Sequence, residues 1–415
     1  MISTIGSAPL AALGPAAFLL AVPVCFGIGL VTSVNTFVAQ SHGRDSRIHA
    51  RCTRFGVQGI WLGVIFGSLA LLLWPTARII FASFRYSPEL AAGASAYFEI
   101  SLFAVSFQIA TVALGGYFIG VRKAGIVLQG AAIGTGANIA LNYWFIFGGL
   151  GVPALGLKGA ALGTVCASAI HFFYALARFL TGLSKKDKSR VDWQPSRRTL
   201  TRLAKMGAPL GVHTGVDILS WGLVIFLIGV FGEADLAAAT VVVRCIHLSF
   251  LPADGLGVAL SNAISQAVGQ GQVALAEAYT SIAFKIISIY MSTLGVLMFA
   301  FRHQILEAFS DDPTVIAIGS SAMIFACAAQ FFDAMGITYY CALLGTGDNA
   351  WPMKITLSTT FIILGLGGLA MVNWVPQVGS LGIWFLDAIY VTILGLTFRL
   401  RWRSGHWQKI DIFED

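Results

Sequence analysis

Eleven stretches of mostly apolar residues, each long enough to cross a bilayer, dominate this sequence. They run at about 11–40, 55–83, 91–119, 124–147, 157–180, 207–231, 236–266, 279–309, 315–344, 353–374 and 380–400. A helix needs about 20 such residues to span the hydrocarbon. Leu, Ile, Phe, Ala and Gly fill the stretches, without the alternation of a barrel strand. Backbone groups in lipid must bond internally, so helices remain. Charged residues are 11% of the chain, where a soluble domain carries about 25%. The sequence predicts an all-α polytopic membrane protein. Internal Pro23, Pro209 and Pro252 are tolerable in such helices, and Gly59, Gly63 and Gly67 repeat the small-xxx-small pattern of close packing.

The net charge of +7 belongs to topology rather than to nucleic acid, because the basic residues sit in short connections. One alternate set holds Arg44, Arg47, Arg51, Arg54, Arg122, Lys123, nine residues between 178 and 205, Lys354 and four after 398, twenty in all. The other set holds four: Arg78, Arg85, Lys158 and Arg302. This bias puts the C-terminus in the cytoplasm, and an odd helix count then puts the N-terminus as given outside. The polar stretch 182–206, with Lys185, Lys186, Asp187, Lys188, Arg190, Arg197 and Arg198, reads as a cytoplasmic linker, with an anionic-lipid contact as the sharper alternative. The six cysteines show no CxxC or zinc spacing and read as small apolar residues. The first stretch lacks a basic leader and is too long for a signal peptide core, so no cleavage is expected.

The chain repeats. At a shift of 226 residues, Gly29 and Leu30 fall on Gly255 and Leu256, and Gln40, Gly43 and Ala50 on Gln266, Gly269 and Ala276. At 225, Phe107 pairs with Phe332 and Gly120 with Gly345. At 223, the Val152-Pro153-x-x-Gly156-x-x-Gly159 run falls on Val375-Pro376-x-x-Gly379-x-x-Gly382. Three matches in order imply two lobes of the same orientation, 1–181 and 207–400, joined by the linker and followed by a tail at 401–415. The second lobe has six helices; the equivalent of its first, 207–231, would precede residue 1 almost entirely. A first helix missing from the first lobe is therefore expected, leaving eleven.

The connections resemble those of multidrug and toxic compound extrusion (MATE) transporters. Gly345-Thr-Gly347-Asp348-Asn-Ala-Trp-Pro352-Met353 is similar to their G-x-G-D-x-x-x-P-M turn. Asn138-Ile-Ala-Leu-Asn142-Tyr-Trp-Phe-Ile-Phe-Gly148 resembles their fifth-helix signature, and Pro153-Ala-Leu-Gly156-Leu-Lys-Gly159-Ala-Ala-Leu-Gly163 the loop and helix after it. The Leu251-Pro-Ala-Asp254-Gly255 run is closer to the DNA-damage-inducible protein F-like branch. The resemblance implies two six-helix lobes, antiport of organic solutes against Na⁺ or H⁺, a small-molecule substrate and no cofactor. It also implies a monomer in a bacterial inner membrane, touching lipid and no nucleic acid.

Ionisable residues inside spans are costly and point to function. Asp217 and Asp333 lie at similar depth in the second lobe, where two facing carboxylates cannot both stay ionised without a cation. The resemblance implies that acids at these places form a cation site, for a proton or Na⁺, and no other metal is expected. The repeat equivalent of Asp333 is Gln108. Asn138 and Asn142, one turn apart, are matched to the polar cavity of the first lobe, with a structural hydrogen bond as the alternative. Asp254 and Glu99 are further intramembrane acids. His213 lies one turn from Asp217 and stands to tune it or relay a proton. Arg244 and His247 share a face and read as snorkelling groups or counter-ions. Asp311-Asp312-Pro313 reads as a helix start.

An integral-membrane enzyme is disfavoured: there is no Walker A loop, no HExxH, and no closely spaced carboxylates of the prenyltransferase type. No filter or pore-ring repeat suggests a channel. A flippase for a lipid or lipid-linked precursor is the runner-up and would want a basic cavity, whereas these acids favour cationic, amphipathic substrates. An inactive truncated product is the third reading.

Overall fold

The computed structural model describes residues 7–44, 49–83, 87–149, 151–183 and 192–413. Arg47, Arg85, Lys185, Lys186, Asp187, Lys188 and Arg190, counted above for topology, lie outside them. Among the described residues eleven helices are long and apolar enough to cross a membrane, and no strand forms beyond an isolated bridge between Gly149 and Val152. The chain is an integral, multi-pass, all-α membrane protein, and it divides into two compact units, Met1–Gly211 and Val212–Asp415.

The first unit contains α1 (Ser7–Arg44), α2 (His49–Ala70), α3 (Trp74–Ser83), α4 (Pro88–Gly120), α5 (Ala124–Phe147), α6 (Gly156–Gly182) and the start of α7 (Arg197–Gly229). A single 3₁₀ turn, Leu71–Leu73, separates α2 from α3 just ahead of Pro75, which has no N–H to continue the ladder. Helix α4 is central and packs against α1, α2 and α6. The Gly59-Gly63-Gly67 stripe faces it: a Cβ at Gly63 would stand 2.7 Å from the backbone nitrogen of Ala110. Helix α7 begins at Arg197, inside the stretch read as a linker. Its buried Leu203 explains why: the Leu203 carbonyl accepts the Ser33 hydroxyl of α1 at 3.0 Å.

The second unit contains the rest of α7, then α8 (Glu233–Gly269), α9 (Val273–Ala300), the short α10 (Arg302–Glu307), α11 (Pro313–Thr346), α12 (Ala350–Thr359), α13 (Gly368–Trp374) and α14 (Leu381–Arg403). A π-helical segment, Thr360–Gly367, joins α12 to α13, so one span runs through all three. The stretch read as one helix over 279–309 instead breaks at Phe301, between α9 and α10. Helix α11 is central and packs against α8, α9 and α14. After α14 the chain turns back: Trp407 is buried and stacks on Trp402, ring centroids 4.3 Å apart.

The repeat is visible inside each unit. Helix α4 starts at Ser87-Pro88 and α11 at Asp312-Pro313, one repeat apart. Ser87 accepts from the Leu90 N–H and Asp312 from the Thr314 N–H, so both starts are capped with proline at the first turn. Gly120 of α4 lies against Val38 of α1, and Gly345 of α11 lies against Ile264 of α8. Val38 and Ile264 are themselves repeat partners, so the two crossings share one register. Gly156 and Gly379, again partners, both hold positive φ, 56° and 64°, the first at the start of α6 and the second just ahead of α14.

Candidate functional site, an acid-lined chamber

Asp217 and Asp333, paired from sequence, line one cavity of about 620 Å³ inside the second unit. Asp254, held apart in the sequence reading, lines it too. A fourth carboxylate, Asp387, was missed. Helices α7, α8, α11 and α14 each contribute one aspartate. Asp254, Asp333 and Asp387 lie roughly 20 to 24 Å along their helices from Gly269, Thr346 and Arg403, which puts them at one level.

Local sequence explains how each arrives. Asp217 sits on the long α7, where the Ser220 hydroxyl donates to the Asp217 backbone carbonyl at 2.7 Å. Asp254 follows Pro252, which removes one backbone donor from α8. The two are exposed to the cavity and Asp333 is half-buried. Asp387 is 8% exposed, one turn after buried Trp384 and one turn before buried Tyr390. Thr360, the first residue of the π-helical segment, donates to the Tyr390 hydroxyl at 3.2 Å. That bond ties α14 to an irregular turn, a feature frequent at functional sites.

The electrostatics are one-sided. The cavity lining includes the four aspartates, His213 and His247, and no Lys or Arg. None of the four carboxylates pairs with a basic side chain among the described residues. Asp217, Asp254, Asp333 and Asp387 share this one lining. The four do not converge as ligands of one metal ion: among the described residues no three acidic, histidine or cysteine groups do. The chamber therefore offers separate negative charges in one volume. Its remaining wall is largely aromatic and aliphatic, with Trp221, Phe250, Tyr340 and Phe398. Aromatic faces beside carboxylates suit an amphipathic cation.

His213 does line the chamber one turn from Asp217, and its ring stacks on Tyr340 at 4.2 Å. His247 lies 5.3 Å from the Trp221 ring, while Arg244 is exposed and outside the lining. The other sequence candidates belong to the first unit. The Asn142 amide donates to Asn138 Oδ1 at 3.1 Å, and Gly163 of α6 lies against Asn142. The buried Asn142 Oδ1 accepts no bond. The Gln108 amide donates to the Ser168 hydroxyl at 3.3 Å, joining α4 to α6. Glu99 accepts from Arg78 Nε at 2.9 Å, which gives it a partner that no chamber carboxylate has. Asp312 is a helix cap. The conspicuous Asp348 of the Gly345–Met353 turn takes Arg401 Nε at 2.8 Å and is structural.

A model of the MatE family matches residues 1–144 and 216–367. The chain belongs to the MatE family. MatE proteins are transporters and not enzymes, and the matched ranges contain Asp217, Asp254 and Asp333 but stop short of Asp387. Two relatives cover nearly the whole chain. Multidrug resistance protein NorM of Aliivibrio fischeri is 26% identical over 426 residues, spanning 100% of this chain and 91% of its own length. A probable multidrug resistance protein NorM of Pseudomonas aeruginosa is 25% identical, spanning 98% and 84%. Among solved structures, a MOP superfamily transporter from Pyrococcus furiosus superposes with a TM-score of 0.85 at 20% identity, over 99% of this chain and 91% of that one. A structure titled as MATE in the bent conformation gives 0.84 at 21%, over 98% and 90%. These likenesses establish the MatE fold for both units.

Proposed function

We propose that this MatE protein is a secondary active multidrug efflux transporter. It exports organic, cationic amphipathic compounds in exchange for Na⁺ or H⁺. The observation that carries the reading is the chamber of the second unit: four carboxylates, no Lys or Arg in its lining, and no ion partner for any of them. Several like charges inside a membrane cannot all stay ionised unless cations enter. Protons or Na⁺ at Asp217 and Asp333 therefore compete with an organic cation for the same negative volume. A ligand shifts a conformational equilibrium only through different affinity for the two states, and competition for these charges supplies that difference. The likeness to two NorM multidrug resistance proteins supports the efflux reading. The flippase alternative wants cationic groups for phosphate, which this chamber lacks. In this reading the protein acts as a monomer in a bacterial inner membrane, with its C-terminus in the cytoplasm.

The test is ion-driven efflux of a fluorescent organic cation from proteoliposomes. Asp217→Asn and Asp333→Asn keep side-chain shape and remove the titrating charge. Each should abolish gradient-driven transport while membrane insertion persists. Normal efflux by the double variant would move coupling to Asp254, Asp387 or the first unit.

A further inference from the structure

A second cavity, of about 350 Å³, lies in the first unit where α4 ends, α5 begins and α6 runs out. Two cations line it, Lys123 and Arg178, and no acidic residue does. Both side chains are exposed, and neither pairs with a described acid. Lys123 immediately precedes α5, a helix of 24 residues that starts without a side-chain cap. The first N–H groups of a helix have no intrahelical acceptor and carry partial positive charge. Two exposed cations and a helix start thus border one volume.

The other wall is apolar: Phe118, Ile126 and the buried Phe179, against which the Tyr117 ring stands edge-on at 4.8 Å. Thr181 turns its hydroxyl to its own helix, donating to the Ala177 carbonyl at 2.8 Å. At roughly 30 Å³ per water the cavity has room for about ten waters, ample for a hydrated phosphate group. Because three spans end here, it sits at the depth of lipid headgroups rather than of acyl chains. Basic pockets between membrane helices at that depth favour anionic headgroups.

We propose that this cavity is a phosphate-binding site that takes the headgroup phosphate of an anionic phospholipid. Lys123 supplies a point charge and Arg178 a planar fork of donors, and the apolar wall meets the acyl-ester end of the lipid. The site is separate from the chamber of the second unit and does not depend on how transport is coupled.

Binding of phosphatidylglycerol to the full-length protein in detergent, read by native mass spectrometry, tests it. Phosphatidylcholine and inorganic phosphate serve as parallel probes. Lys123→Gln and Arg178→Gln should each weaken phosphatidylglycerol binding about fivefold, and together roughly thirtyfold. The charge-retaining Lys123→Arg and Arg178→Lys should hold most of the affinity. Competition by inorganic phosphate would show that the phosphate alone is read. Its failure to compete, with lipid binding intact, would assign the site to the intact lipid. Wild-type affinity for phosphatidylglycerol in the double Gln variant overturns the proposal. Should that variant misfold, the two single variants decide in the same way.

Discussion

Replacing Gly345 with alanine puts a methyl group where α11 crosses α8. The new Cβ would stand 2.5 Å from the Ser261 carbonyl oxygen and 3.0 Å from Ile264 Cβ, where ordinary contact begins at 3.4 Å. The crossing must open by roughly 0.9 Å, because a backbone carbonyl cannot rotate aside. A gap of that size forfeits a quarter to a half of the dispersion well along the contact, and overpacking of this kind costs about 1–3 kcal/mol. Alanine returns up to about 1 kcal/mol through helix propensity. A net loss of up to about 2 kcal/mol remains, which in a unit of this size lowers the melting midpoint by up to about 8 °C. The repeat gives a second copy of the experiment. At Gly120 the Cβ would stand 2.6 Å from Val38 Cγ1 and 3.1 Å from the Ala39 nitrogen, and Val38 is fully buried with nowhere to turn. Gly136→Ala is the control, since nothing lies within 4 Å of its added methyl. Thermal unfolding in detergent, followed by the fraction remaining monodisperse, should rank Gly136→Ala at or above wild type and the other two below it by similar amounts. Wild-type melting of either Gly120→Ala or Gly345→Ala would refute the shared register of the two crossings.

Asp387→Asn should cut gradient-driven efflux at least tenfold without lowering the melting midpoint, because its carboxylate faces the chamber and holds no partner; unchanged transport would make it a bystander. Arg401→Gln leaves the buried Asp348 carboxylate unpaired and should cost about 3 kcal/mol, read as a large drop in thermal midpoint; a shift under a degree would deny the pair its role. Glu99→Gln breaks a pair whose Arg78 side chain is 75% exposed, so it should cost under about 1 kcal/mol and leave efflux intact in the same liposomes.

Spans, caps and repeat were legible because each depends on local or periodic features. Twenty apolar residues cross a bilayer whatever they pack against, and Asp312-Pro313 starts a helix from its own side-chain oxygen and fixed φ. The repeat offset correctly paired Gly120 with Gly345 and Gly156 with Gly379. The exits from regular helix were less legible. The π-helical turn at Thr360 sits in apolar sequence, and neither it nor the break at Phe301, just ahead of Arg302-His303-Gln304, has a proline to announce it. The helix start at Arg197 was hidden because a polar stretch covers one buried face, that of Leu203.

Which intramembrane acid does what was decided only by the tertiary structure. Glu99 and Asp254 look alike in sequence, each a lone acid in an apolar helix. Yet Arg78 reaches Glu99 from another helix, and no described Lys or Arg pairs with Asp254. Asp387 went unseen although it stands in a span, six residues after the start of α14. A helix that is apolar all round has no polar face to betray its orientation. Sequence fixes the depth of each carboxylate to within a turn. The rotation of α7, α8, α11 and α14 about their own axes, set by packing such as Gly345 on Ser261, is what turns four scattered aspartates into one chamber.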